Sequence, residues 1–128
     1  MTTEFVLDAS AILAVSYGEK GRDQVIAALP RSQISTINLA EAISDMIKMG
    51  FDPYDVERQV AGLPPRVIDF DRGLAIQTGL LRKITVPRGL SLGDRACIAL
   101  AMREKLPVMT ADRVWTDLDL PVEVVLIR

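Results

Sequence analysis

Two aspartates, Asp8 and Asp112, each follow a short apolar run, FVL and PVM, the second by way of Thr110 and Ala111. An ionised carboxylate so close to segments that want burial costs free energy unless water, a helix cap or a metal ion receives it. Each of the two can start the helix that follows it, accepting backbone N–H bonds at the positive end of the dipole. Each can equally share a cation with other acids. Asp94 is a third candidate, because on a helical wheel it shares a side with Ile98, Ala101 and Met102 and should face protein or an enclosed cleft. Its structural alternative is specific: Ser91-Leu92-Gly93-Asp94 fits the S-x-x-D signal of a helix start. Glu41 reads otherwise, since the wheel sets it opposite Ile43 and Ile47 and close to Asp45 and Lys48, as a surface glutamate.

The chemistry open to these acids is narrowed by an absence. The chain has no histidine and one cysteine. That rules out a Ser-His or Cys-His nucleophile pair, an imidazole acid-base catalyst and a cysteine- or histidine-rich zinc site. Chemistry near neutral pH falls to carboxylates, and carboxylates recruit hard cations. A net charge of −2 makes no overall electrostatic case for nucleic acid. Any polyanionic substrate would have to be held by local basic side chains or by bound metal. Arg72, Arg82, Lys83 and Arg88 form one local basic concentration, and Arg95 and Arg113 each adjoin a candidate acid.

The elements that must position these residues alternate. Strands are expected over Glu4 to Leu7, Gln33 to Ser35, Arg66 to Phe70, Leu106 to Met109 and Val122 to Ile127. Helices are expected over Ser10 to Tyr17, Gly21 to Leu29, Thr36 to Met49, Asp52 to Ala61, Asp71 to Lys83 and Ser91 to Lys105. In the third of these, Leu39, Ile43, Met46 and Ile47 are expected on one inward face. Alternation of this kind implies an α/β fold with a mostly parallel sheet of four or five strands flanked by helices. Such sheets bind ligands at the carboxyl ends of their strands, where Asp8 and Asp112 fall.

At 128 residues, with 49% hydrophobic and 25% charged content, the chain suits one domain over 1–128 with a real core. Charge blocks, repeats and low-complexity tracts are absent. No apolar run approaches the roughly 20 residues needed to cross a bilayer, so no membrane partner is expected. The lone Cys97, in RACIALAM, reads as a small core residue in a reducing, cytoplasmic setting.

FVLDASAIL near the start, STINLAEAISDM about thirty residues on, and LSLGDRACIALAMREKLPVMTADRVW toward the end resemble the PIN-domain ribonucleases, in particular the VapC-like toxins of type II toxin-antitoxin pairs. The resemblance covers essentially the whole chain, and the closing strand, T-x-D and tryptophan are its most specific part. It implies a single PIN-like domain in which Asp8, Glu41, Asp94 and Asp112 form an acidic site for Mg²⁺ or Mn²⁺. Glu41 thereby becomes a ligand that the wheel does not supply. Ser10 and Thr110 match hydroxyl positions that support the acids, and Asp117 matches a less constant further acid. Arg95 stands where a small residue is more usual, which leaves its role open. The implied reaction is hydrolysis of an RNA phosphodiester by an activated water, leaving a 5′-phosphate and a 3′-hydroxyl. The implied partners are the RNA substrate, a second copy in a homodimer, and a cognate antitoxin that lays a helix in a groove. Met46, Met49 and Phe51 are candidates for that groove, against the alternative that they pack in the core.

Two other classes compete. One is a PIN fold that only binds RNA or protein. The other is a receiver-type signalling domain, which would want paired acids after the first strand where this chain offers only Asp8, with Asp69 and Asp71 as a poor phosphoacceptor region.

Overall fold

The computed structural model describes residues 3–128. Five strands, β1 (Phe5–Leu7), β2 (Ser32–Ser35), β3 (Arg66–Ile68), β4 (Val108–Thr110) and β5 (Val124–Leu126), form one sheet in the order β3-β2-β1-β4-β5, with every neighbouring pair parallel. This order differs from the 2-1-3-4-5 order of receiver domains, which removes that alternative. The helices are α1 (Ala9–Tyr17), α2 (Arg22–Ala28), α3 (Thr36–Lys48), α4 (Pro53–Ala61), α5 (Arg72–Leu80), α6 (Arg82–Thr85) and α7 (Leu92–Glu104). None among the described residues is long and apolar enough to cross a membrane.

Parallel strands need both faces covered, and successive side chains of a strand point to opposite faces. The central strand shows the result. Leu7 packs with Ile34, Met109 and residues of α1 to α4, whereas Val6 packs with Val108, Trp115 and residues of α5 and α7. Leu7, Val6, Val108 and Trp115 are fully buried. Helix α7 is enclosed along most of its length, from Arg95 to Ala101. Its alanines and Cys97 leave little side-chain bulk between helix and sheet, and Cys97 is indeed a buried core thiol.

Several expected boundaries move. The helix expected from Asp71 to Lys83 is two, α5 and the short α6, followed by a 3₁₀ turn over Val86–Arg88 that Pro87 starts. The strand expected to Phe70 ends at Ile68, and the last strand is trimmed at both ends to Val124–Leu126. On α3 the buried stripe is Asn38, Ala42 and Met46, with Leu39 and Ile43 only partly covered and Ile47 exposed. The wheel misplaced this face because it ranked positions by hydropathy, while the partner surface accepts a buried asparagine. Met46 is therefore core and leaves the set of groove candidates.

Because Leu7 is sealed immediately before Asp8, truncating it tests how far the central strand supports everything beyond it. Leu7→Ala should destabilise the fold by about 2–5 kcal/mol, the range for deleting a buried leucine side chain, read as a lower urea midpoint with an unchanged slope.

Candidate metal centre at the carboxyl edge of the sheet

The sheet order reverses between β1 and β4, and the crevice outside a parallel sheet at such a point is where ligands bind. Parallel pairing of Leu7 with Met109 puts the next residues, Asp8 and Thr110, side by side. Asp8 stands at the N-cap position of α1 yet makes no capping bond. Its Oδ2 instead accepts hydrogen bonds from the Ser10 hydroxyl at 2.8 Å and the Thr110 hydroxyl at 3.0 Å.

Those hydroxyls are oriented from the other side. Ser10 Oγ accepts the backbone N–H of Ala111 at 2.9 Å, and Thr110 Oγ1 accepts that of Asp112 at 3.1 Å. Each hydroxyl has one proton, and both protons are directed to Asp8. The 3.2 Å approach of the two hydroxyls is thus a proximity rather than a further hydrogen bond. The arrangement fixes the carboxyl and fastens the loop after β4 to the end of β1.

Asp8 is 5% exposed, and its carboxyl is held up at about 6, mainly by burial, with Asp94 and Glu41 adding repulsion and the two hydroxyls opposing the rise. Glu41 and Asp94 are also raised, first by burial. For Glu41 the charge on Asp94 adds to the rise and a bond from Asn38 opposes it. For Asp94 the bonds at Ser91 oppose it, Asp112 adds to it, and Arg95 lowers it slightly. Burial and three nearby acids raise the Cys97 thiol well above its ordinary range and keep it neutral.

The four acids thus share one electrostatic neighbourhood, but each is separately held. Asp94 completes a capping box with Ser91 at the start of α7, and Asp112 caps the 3₁₀ turn Arg113–Asp117 through Val114 N. The capping readings of Asp94 and Asp112 are correct, and that of Asp8 is not. Among the described residues, no three acids are close enough to ligate one ion as they stand. Asp117 is paired with Arg88 at 3.0 Å.

Glu41, expected on the surface by its wheel position, is half-buried against α7. Asn38 Nδ2 donates to Glu41 Oε1 at 2.9 Å and to the backbone oxygen of Gly93 at 2.9 Å. Asn38 is fully buried, and a Cβ at Gly93 would collide with the carboxyl carbon and both oxygens of Glu41. Neither residue stands out in the sequence. The asparagine three residues before Glu41, on a helix face that should be apolar, is the signal that could have found it.

Arg95 donates to Thr78 O at 3.0 Å, so it joins α7 to α5. Arg103 pairs with Asp71, and Arg31 with Glu4. Among the described residues Arg72, Arg82, Lys83 and Arg113 have no ion-pair partner, and so are among the basic groups free to meet phosphate, together with Lys20, Lys48, Arg58, Arg66 and Lys105.

An all-oxygen carboxylate set, partly desolvated and short of positive charge, suits a hard divalent cation. The family profile for the PIN domain matches residues 5–120. A DNA-bound VapBC structure from Salmonella typhimurium is similar, at 24% identity and a TM-score of 0.77, over 99% of this chain and 100% of that one. A toxin-antitoxin complex from Klebsiella pneumoniae gives 19% and 0.76 over 98% of each chain. VapC20 of Mycobacterium tuberculosis, described as a sarcin-ricin loop cleaving toxin, gives 15% and 0.75 over 89% and 94%. No curated protein matches the chain by sequence.

The raised carboxyl of Asp8 has a consequence for stability. Its value is 3.8 when unperturbed and about 6 when folded, so between those values the folded state holds the proton more tightly. The contribution of Asp8 to the stability of the metal-free protein is then fully present below the unperturbed value and is lost as pH rises through about 6. At about 1.4 kcal/mol per pH unit, the loss reaches ~3 kcal/mol. Asp8→Asn should remove that loss, raising the urea midpoint at pH 7.5 while changing it little at pH 3.5.

Proposed function

The chain belongs to the PIN-domain family, and from that premise we propose that it is a Mg²⁺- or Mn²⁺-dependent ribonuclease and the toxin of a toxin-antitoxin pair. The observation that supports this most is the setting of Asp8, a buried carboxyl repelled by Glu41 and Asp94 with no basic side chain bonded to it. In this reading Asp8, Glu41, Asp94 and Asp112 hold the cation. When bound, it would neutralise charge on the phosphate oxygens and make a water acidic enough to attack phosphorus.

The chain's own residues have separable tasks. Ser10 and Thr110 occupy Oδ2 of Asp8, so the other oxygen is the one offered to a ligand. Glu41 has Oε1 engaged by Asn38, which leaves Oε2 to orient the attacking water. Its raised affinity for a proton suits it to accept one as the water attacks. In-line attack would invert phosphorus and leave a 5′-phosphate and a 3′-hydroxyl. Arg72, Arg82, Lys83 and Arg113 would contact substrate phosphates. Asp117, engaged by Arg88, would take part only if released from that pair.

The described roles of the Klebsiella and Mycobacterium proteins, a toxin-antitoxin complex and a sarcin-ricin loop cleaving toxin, support the toxin reading. An antitoxin helix would use exposed Met49 with Phe51, and the toxin would act as a homodimer in the cytoplasm. A second reading, a PIN fold that binds RNA without cutting it, is favoured by the finding that, among the described residues, no three acids are placed to ligate one ion. Cleavage decides between them. With Mn²⁺ the protein should convert RNA to 5′-phosphorylated products, and EDTA should stop it. Asp8→Asn and Asp94→Asn should each lower the rate on the order of 10²–10³-fold, as loss of one group stabilising transition-state charge does. Binding of RNA with no metal-dependent product would favour the second reading.

A further inference from the structure

Among the described residues, Asn38 combines complete burial, two donated hydrogen bonds and an orphaned oxygen, because its Oδ1 has no partner. Its amide orientation is fixed by chemistry. Both neighbours of the bonded atom, Glu41 Oε1 and Gly93 O, are acceptors, so only the NH₂ end can face them. A buried amide with an unsatisfied oxygen is destabilising, and an apolar residue on that stripe of α3 would avoid the cost. What the amide gains is geometry. Its two N–H groups span from the second turn of α3 to the first turn of α7, the two segments that carry Glu41 and Asp94.

Gly93 completes the arrangement. It sits immediately before Asp94, and its missing side chain leaves the space that the Glu41 carboxyl fills. The carboxyl is therefore held on one oxygen by Asn38 and against the backbone of α7 by contact. Glu41 could otherwise swing to solvent through three freely rotating bonds.

We propose that Asn38 and Gly93 are the positioning pair of the acidic site: Asn38 clamps Glu41 to the first turn of α7, Gly93 provides the seat, and together they set the placement of Glu41 relative to Asp94. Neither touches a ligand. The pair acts through Glu41 and so rests on the reading of Glu41 as a cation ligand.

The test is a double-mutant cycle with two readouts, Mn²⁺ affinity by calorimetry and the melting temperature of the metal-free protein. Asn38→Ala and Gly93→Ala should each fold, by circular dichroism, and each should weaken Mn²⁺ about 10–100-fold, the usual effect of removing a group that orients a ligand. Glu41→Ala should weaken it as well. In the Glu41→Ala background neither change should weaken it further, because nothing is left to position. Gly93→Ala should also give a lower melting temperature, relative to its own background, in the parent than beside Glu41→Ala, since the added methyl meets the Glu41 carboxyl in the one and vacated space in the other, while the helix gain of alanine over glycine is common to both.

Wild-type Mn²⁺ affinity in Asn38→Ala, with Glu41→Ala impaired, would overturn the inference alone. So would losses that add to that of Glu41→Ala, which mark a general structural role. Unchanged affinity in Glu41→Ala would overturn the ligand reading itself, and the proposal with it. The metal-free rescue of Gly93→Ala would then report only on packing at the seat.

Discussion

One buried carboxyl organises the end of the sheet. Asp8 follows fully enclosed Leu7 and, among the described residues, has no capping bond or ion pair on its side chain. Two hydroxyls receive one of its oxygens, and each of those hydroxyls receives a backbone N–H from the loop after β4. The β1–β4 pairing, the course of that loop and the place of Asp112 thus depend on one set of short bonds. Hydroxyl bonds favour the charged form, burial and neighbouring acids oppose it, and burial is the larger effect. The outcome is a carboxyl that keeps its proton up to about 6, which an incoming positive charge would lower.

The remaining acids are supplied by elements that approach the edge independently. Helix α7 brings Asp94 in its first turn, where a capping box bonds its carboxylate back to Ser91 N. Helix α3 brings Glu41 from its second turn, just after Ser35 accepts Ile37 N as the helix begins. Capping and site chemistry draw on the same side chains here, since an acid at a helix start is already fixed in place. The cost is repulsion among acids held close without a counter-charge.

Basic residues show a complementary division. Arg95 is buried in the contact between α5 and α7, while Arg88 and Arg103 are committed to Asp117 and Asp71. Their contribution is to hold the framework. The chain's overall charge of −2 therefore hides two different uses of arginine, and only the unpaired ones on the surface can meet a polyanion without first breaking a bond.

Alternation of apolar runs and periodic segments determined the α/β class, the parallel sheet and the placing of Asp8 and Asp112 at strand ends, because these follow from side-chain period and burial. The absence of histidine, with one buried cysteine, determined that any cation would meet oxygen. Resemblance across three motifs added the PIN family, which the profile match bears out, and nominated Glu41 against its helical wheel. Tertiary structure decided what local pattern could not. It turned Glu41 inward through Asn38 and an absent side chain at Gly93, it paired Asp117 with Arg88, and it directed Arg95 to Thr78. Each of these outcomes depends on contacts between segments far apart in the chain, where a hydrogen of glycine or one amide donor settles which way a charge points. Periodicity along a single helix carries no record of them.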